Sequence, residues 1–396
     1  MKTRSLSYFA LGGLFLSSAL VVGARTWTDT KGRKIDAEIV SKTGNSVTVN
    51  LKGKETKIPL KKLSKADQEF VAGWKAEEKK DEVSGKKGSS NADVEKAFNL
   101  PWPKLISTDL GFEIETEEKD GSYIYRSPNY EFICDSRLSK VPVKRFATLF
   151  EATRLYVQQL PYANMKALKK DHRHKVMLFE QDSNYHKAGA PMGSAGVYMP
   201  RKDIIMVKFS SLGLVKRGSG WGLDYDISNK TLPHEITHQL TDPEYYCQGS
   251  RGWFTEGFAE YVAVTPYRSG KFTVSRAPGD VERYATGYSR KDGRGRAIGT
   301  DVEVGSLKDF MNMSYRDFAG DNGNFNYAVG ALLVTYFNHY DGEGDAANLK
   351  NFLRAMKEGK KGDKILEVLL AGRTFKELEK EVRKAWRSRG VKLNFD

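Results

Sequence analysis

Between Arg25 and Trp74 apolar and polar residues alternate in short runs. Ile35, Ala37 and Ile39 share one parity, as do Val47, Val49 and Leu51, the period-two pattern of strands that bury one face. Strands are expected at Arg25–Trp27, Lys34–Ser41, Ser46–Leu51 and Glu55–Leu60, with turn residues at Asp29–Gly32, Thr43–Asn45 and Lys52–Lys54 between them. Ser64 to Asp67 then caps a short helix that runs through Phe70 to Trp74. So short a segment buries only a thin core, and a small SH3-like all-β barrel over 25–74 is the expected outcome. The run 75–91 carries almost no apolar residue and reads as a charged flexible linker.

From Ala92 to Asp396 the pattern changes. The front half mixes strands at Tyr123–Tyr125, Tyr130–Cys134 and Lys175–Glu180 with a helix near Val143–Gln159. A strand, a turn and a β-rich strand follow over Gly196–Val207. The rear half is mainly helical and ends in amphipathic runs around Leu349–Lys357 and Phe375–Ser388, which read as core-facing helices. An α+β domain spanning 92–396 is expected.

Chemistry concentrates in His234-Glu235-Ile236-Thr237-His238. Histidines at i and i+4 leave a helix in directions roughly 40° apart, so one Zn²⁺ can bridge them. Glu235 between them points near the open side of such a metal, where a carboxylate takes a proton from a zinc-bound water whose pKa has fallen to about 7. The pattern is the H-E-x-x-H of zinc peptidases. After a helix end at Asp242-Pro243, the segment Trp253–Tyr261 supplies two more carboxylates at i and i+4. Glu256 is the expected third metal ligand. Glu260, one turn on, is placed to accept from the far nitrogen of a zinc-binding histidine. His172, His174, His186 and His339 lack ligand spacing to this motif.

With H-E-x-x-H followed by Trp253-Phe254-Thr255-Glu256-Gly257-Phe258-Ala259-Glu260-Tyr261, the chain resembles the gluzincin clan of metallopeptidases. In general arrangement it is closer to the secreted gluzincin-like domains of bacteria, with their W-x-x-E-G-x-A-E-Y pattern, than to a well-studied enzyme. The resemblance implies a zincin-like fold and one Zn²⁺ per chain. It extends to Asn326–Phe337, similar to the Y-x-x-G-x-x-L-L helix of gluzincin aminopeptidases, and gives Tyr327 the role of oxyanion donor. It also implies an edge strand that lays the substrate backbone across the metal. Ile204, Ile205, Met206 and Val207 are the candidate edge, and a buried sheet strand fits the same run equally well. The acidic G-x-M-E-N segment that holds a free substrate N-terminus in aminopeptidases has no counterpart, since Gly193–Val197 carries no acid, and this favours endopeptidase action. The N-terminal segment resembles the Sla-one homology (SHD) domain in Arg25–Asp29, Ala37–Val40 and Ile58–Gln68. That domain binds short peptide motifs and protein partners in endocytic adaptors, so a protein or cell-envelope ligand of the barrel is implied.

Met1 to Ala24 has the parts of a secretory signal: Lys2 and Arg4, an apolar stretch from Leu6 to Val22, and Val22-Gly23-Ala24 as a cleavage site. Secreted or periplasmic localisation is expected, with no membrane span left after cleavage. An uncleaved membrane anchor is the alternative. Removing this segment takes two bases and no acid, so the net charge falls from +14 to +12. The excess is spread out and no nucleic-acid motif accompanies it, which argues against a nucleic-acid partner. Arg283–Arg296 is rich in Gly and Arg and reads as a solvated mobile loop, with a lining of the cleft that selects acidic side chains as the sharper alternative. Cys134 and Cys247 are the only cysteines, an even count that allows one disulfide or two buried thiols.

The expected function is a secreted zinc-dependent peptidase acting on peptide or protein substrates. The competing reading is a cell-surface or periplasmic binding protein with a structural or inactive zinc domain. An intact Glu235 weighs against it, because a structural site closes its fourth position and has no use for a carboxylate beside the metal.

Overall fold

A computed structural model describes residues 25–43, 45–51, 54–73, 91–162, 172–224, 230–245, 252–287 and 295–396. Residues 1–24, expected to be a secretory signal, and the expected linker 75–91 apart from Asn91 lie outside the described residues. The chain forms two compact units that divide between Gly88 and Ser89, and it is α+β. Among the described residues no helix is long and apolar enough to cross a membrane.

In the first unit, β1 (Arg25–Thr28), β2 (Lys34–Thr43), β3 (Ser46–Leu51) and β4 (Lys54–Pro59) form an antiparallel sheet in sequential order, followed by α1 (Lys65–Gly73). The expected alternation decides the core: Trp27, Ala37, Val47 and Val49 are buried together with Leu63 and Val71. Trp27 Nε1 donates to Ala37 O at 2.8 Å, so the indole is buried with its polar atom satisfied. Asp67, also buried, accepts from Thr28 N at 2.8 Å and from Ser64 Oγ at 2.9 Å, tying the start of α1 to the end of β1.

The second unit opens with α2 (Asn91–Phe98), β5 (Ile106–Ser107), β6 (Glu115–Lys119), β7 (Ser122–Arg126), β8 (Tyr130–Cys134), α3 (Lys140–Gln159), β9 (His174–Phe179), α4 (Asp182–Lys187), β10 (Gly196–Met199) and β11 (Ile204–Lys208). A hairpin of β12 (Leu214–Arg217) and β13 (Gly220–Leu223) leads to α5 (Thr231–Leu240) and α6 (Gly252–Val264). The remainder is β14 (Tyr267–Arg268), β15 (Lys271–Phe272), α7 (Ala277–Thr286), β16 (Asp301–Glu303), α8 (Leu307–Asn312), α9 (Tyr315–Phe318), α10 (Gly323–His339), α11 (Ala347–Lys357), α12 (Asp363–Leu370), α13 (Phe375–Arg387) and β17 (Lys392–Asn394).

Six strands make one mixed sheet in the order β10-β11-β9-β8-β7-β6, with β8, β9 and β11 mutually parallel and the remaining pairs antiparallel. This corrects one expectation. Ile204, Ile205, Met206 and Val207 lie on β11, an interior strand, and β10 occupies the edge. Ile205 and Val207 join the main core on one face of the sheet, while Met206 packs with Phe179 and Tyr185 on the other. Burial on both faces is why the run is uninterruptedly apolar, and that is the signature of an interior strand.

Helix α5 packs against β10 and β11 and against α3 and α6. Leu232, Ile236 and Leu240, spaced by four, are fully buried in the main core. His234 and His238 are offset from them by two residues, about half a turn, and so face away from that stripe. Buried Gln239 pins the helix to the sheet, its Nε2 donating to Lys175 O at 3.1 Å and Asp203 O at 3.3 Å. Helices α6 and α10 cross in backbone contact: a Cβ on Gly257 would stand 2.4 Å from Gly330 O, and one on Gly330 3.0 Å from Trp253 O. Only glycine permits this approach.

Candidate functional site

The helix crossings bring three side chains together. Glu256 Oε2 on α6 lies 3.1 Å from His234 Nε2 and 3.1 Å from His238 Nε2, and the two Nε2 atoms are 3.0 Å apart. Among the described residues this is the group whose ligand atoms, all within 4.8 Å of one another, could hold a metal ion, and none of the other histidines joins it. Burial penalises the Glu256 carboxylate, yet the charge and hydrogen bonds of the two imidazoles override it and hold its pKa well below the usual range. His234 is the reverse case: burial disfavours its cation, but Glu256 and Glu260 raise its pKa well above the ordinary imidazole value.

Glu260 stands where the sequence places it, its Oε1 3.1 Å from His234 Nδ1. The same oxygen accepts from Arg296 Nη2 at 2.6 Å. Burial works against ionised Glu260, but His234 first and Arg296 second bring its pKa down to about 2. A buried carboxylate held by two cationic partners is a fixed point from which the imidazole is oriented.

Glu235 is beside this group and outside it. Its Oε2 accepts from the backbone N–H of Tyr198 on edge strand β10 at 2.7 Å. Gly196 is part of the same fit, since a Cβ there would lie 3.4 Å from Thr231 Cγ2 and 3.6 Å from Glu235 Cγ. Tyr327 on α10 stacks on the His234 ring, with centroids 6.0 Å apart and planes 17° from parallel. Burial, then the Glu256 charge, raise the Tyr327 pKa, so the phenol keeps its proton across the neutral range. Glu235, Tyr327 and the His-His-Glu group line one cavity of about 440 Å³, closed at its sides by Val197, Tyr198, Thr255 and Tyr315.

No protein-family model matches the chain. No curated protein is similar to it either, so the site is read on its own geometry.

Four of the residues expected to form the site (His234, Glu235, His238 and Glu256) converge with Glu260 and Tyr327 in one place. Cys134 is a buried free thiol on β8 whose pKa burial raises, and its sequence partner Cys247 lies outside the described residues. Of the stretch read as a solvated loop, Arg283–Arg296, only the two ends are described. Arg283 belongs to α7, residues 288–294 lie outside the described residues, and Arg296 is half-buried against Glu260 with its guanidinium 5.0 Å over the Tyr327 ring. Two site residues carried no signal of their own. Tyr198 enters through its backbone N–H, which any residue has. Tyr315, whose Oη donates to Glu256 Oε1 at 2.9 Å, stands on a four-residue helix with no spacing relation to the motif.

Proposed function

We propose that the chain is an exported zinc-dependent peptidase with a zincin-like second unit and an SH3-like first unit that binds a protein or cell-envelope ligand. One observation carries this reading: the His-His-Glu group opens on a cavity in which a carboxylate, Glu235, stands beside the group without belonging to it. A structural metal site has its ligands closed around the ion, whereas a hydrolytic one keeps a position open next to a base.

The donor set suits Zn²⁺. Ligand atoms about 2.0–2.1 Å from a tetrahedral zinc stand about 3.3 Å from one another. The three here are spaced 3.0 to 3.1 Å apart. Zn²⁺ held by His234, His238 and Glu256 would supply Lewis-acid polarisation of a scissile carbonyl and a lowered water pKa. The side chains then divide the remaining work. Glu235, with Oε2 occupied by Tyr198 N–H, accepts the proton of the attacking water on its other oxygen and passes it to the leaving nitrogen. Tyr327, kept protonated, donates its hydroxyl hydrogen to the oxyanion. Edge strand β10, which runs past Glu235, offers a backbone template for an extended peptide of any sequence, in keeping with endopeptidase action on peptide or protein substrates.

Zinc content and cleavage of a quenched casein or peptide library test the proposal. The wild-type chain is expected to hold one zinc and to cleave. Glu235→Gln keeps the metal and loses about 10²–10⁴-fold in turnover, whereas His238→Ala loses both. Wild-type cleavage by Glu235→Gln would falsify the assigned base. Zinc without any cleavage in the wild type would sink the peptidase and leave the binding-protein reading.

A further inference from the structure

The two oxygens of Glu256 have different surroundings. Oε2 faces both imidazoles at 3.1 Å, and Oε1 accepts from Tyr315 Oη at 2.9 Å. Glu256 is only 3% exposed, so Oε1 depends on protein donors for its hydrogen bonds. Tyr315 itself is 44% exposed. Its ring does not fill the core, and packing therefore gives no reason for an aromatic residue there. What the position does have is careful anchoring. Ser314 caps α9 by accepting from Asp317 N at 3.2 Å. Phe318 is fully buried, lies against Tyr327 at 5.6 Å between centroids, and occupies the space a Cβ on Gly252 would need. Asn326 Nδ2 on α10 donates to Phe318 O at 2.9 Å. The short helix is fastened on both sides, and the hydroxyl of its first residue is aimed at one carboxylate oxygen.

We infer that Tyr315 is a positioning residue for Glu256: by occupying Oε1 it makes the carboxylate a one-oxygen ligand and keeps the second oxygen off the ion. This rests on the metal-site reading of His234, His238 and Glu256, and it deepens that reading. A carboxylate can bind an ion through one oxygen or two, and the second oxygen takes a coordination position. In a catalytic site with three protein ligands the remaining position must stay open for water and substrate. Here a phenol fixed by α9 guards that opening. Tyr327, on α10, contacts the His234 ring and hydrogen-bonds the Tyr315 hydroxyl, while the donor to Glu256 Oε1 is Tyr315, so removing the Tyr327 hydroxyl leaves that donor in place.

Cobalt(II) separates them, because its visible bands are intense at low coordination number and weaken as ligands are added. The full chain is loaded with Co²⁺ alone, and wild type, Tyr315→Phe and Tyr327→Phe are compared by absorption, with circular dichroism as a check on folding. The wild type is expected to take up one Co²⁺ with intense bands. Tyr315→Phe loses band intensity as the released oxygen joins the ion, and Tyr327→Phe keeps the wild-type spectrum. Identical spectra for wild type and Tyr315→Phe overturn the inference while leaving the metal site standing. Weak bands in the wild type overturn it too, and no uptake at all removes the metal-site reading with it.

Discussion

Buried charge is the main cost at the residue scale, and the two buried carboxylates of the site each have cationic partners beside them. Glu256 has two imidazoles and a phenol, and Glu260 has His234 and Arg296. His339 follows another course and stays neutral. Burial first, and Arg389 second, lower its pKa to about 4, with Nε2 2.9 Å from Tyr261 Oη. The sign of the consequence is fixed. Below about 6.5 the unfolded chain takes up a proton that the folded chain refuses, so stability declines as pH falls and levels off near pH 4. The shift is worth on the order of 3 kcal/mol at that limit, with no effect above neutral pH. Urea midpoints at pH 7 and pH 4.5 are expected to fall further for wild type than for His339→Gln, and equal falls would remove His339 as the cause. None of this is legible from sequence, because a histidine without ligand spacing looks the same whether it is buried or exposed.

Among the elements, the crossing of α6 and α10 decides the site. The sequence motifs around Glu256 and Tyr327 each contain a glycine one or three residues on, and the structure gives the reason: Gly257 and Gly330 let two backbones touch, which sets Tyr327 beside His234. Gly257→Ala places a methyl group 2.4 Å from a carbonyl oxygen that belongs to helix backbone and cannot swing aside. A loss of about 1–3 kcal/mol or more in chemical denaturation is expected, together with weaker retention of the proposed zinc as Glu256 is displaced. Full stability and full zinc content would show that the helices separate freely. The strands teach the opposite lesson. Hydropathy located β10 and β11 well, but the candidate edge, Ile204 to Val207, proved to be the interior strand of the two. An uninterrupted apolar run states that a strand is buried without stating what lies beside it, and pairing order is a property of the sheet.

For the whole molecule, the described residues form three buried apolar clusters, one in the first unit and two in the second. That of the first unit, around Trp27, Val47 and Val49, shares no residue with the one that holds the site. Val47→Ala is expected to cost the first unit about 1–3 kcal/mol and to leave zinc content and site chemistry unchanged. Calorimetry with metal analysis checks this, and parallel loss of zinc would tie the units into one cooperative body. The division between the units falls close to where composition turns charged and glycine-rich, since a run with so little apolar surface cannot join the core of either unit.

Local chemistry and periodicity determined much by themselves. The alternating β-rich start, the helix bearing His234 and His238, and the carboxylates of Glu256 and Glu260 one turn apart are short-range facts, written in spacings of two and four residues. Tertiary structure alone decided that β10 is the edge strand, that Arg296 ends against Glu260, and that Tyr315, fifty-nine residues after Glu256, holds its second oxygen. Each of those depends on contacts between distant segments, and such contacts leave no period in the sequence for a reader to find.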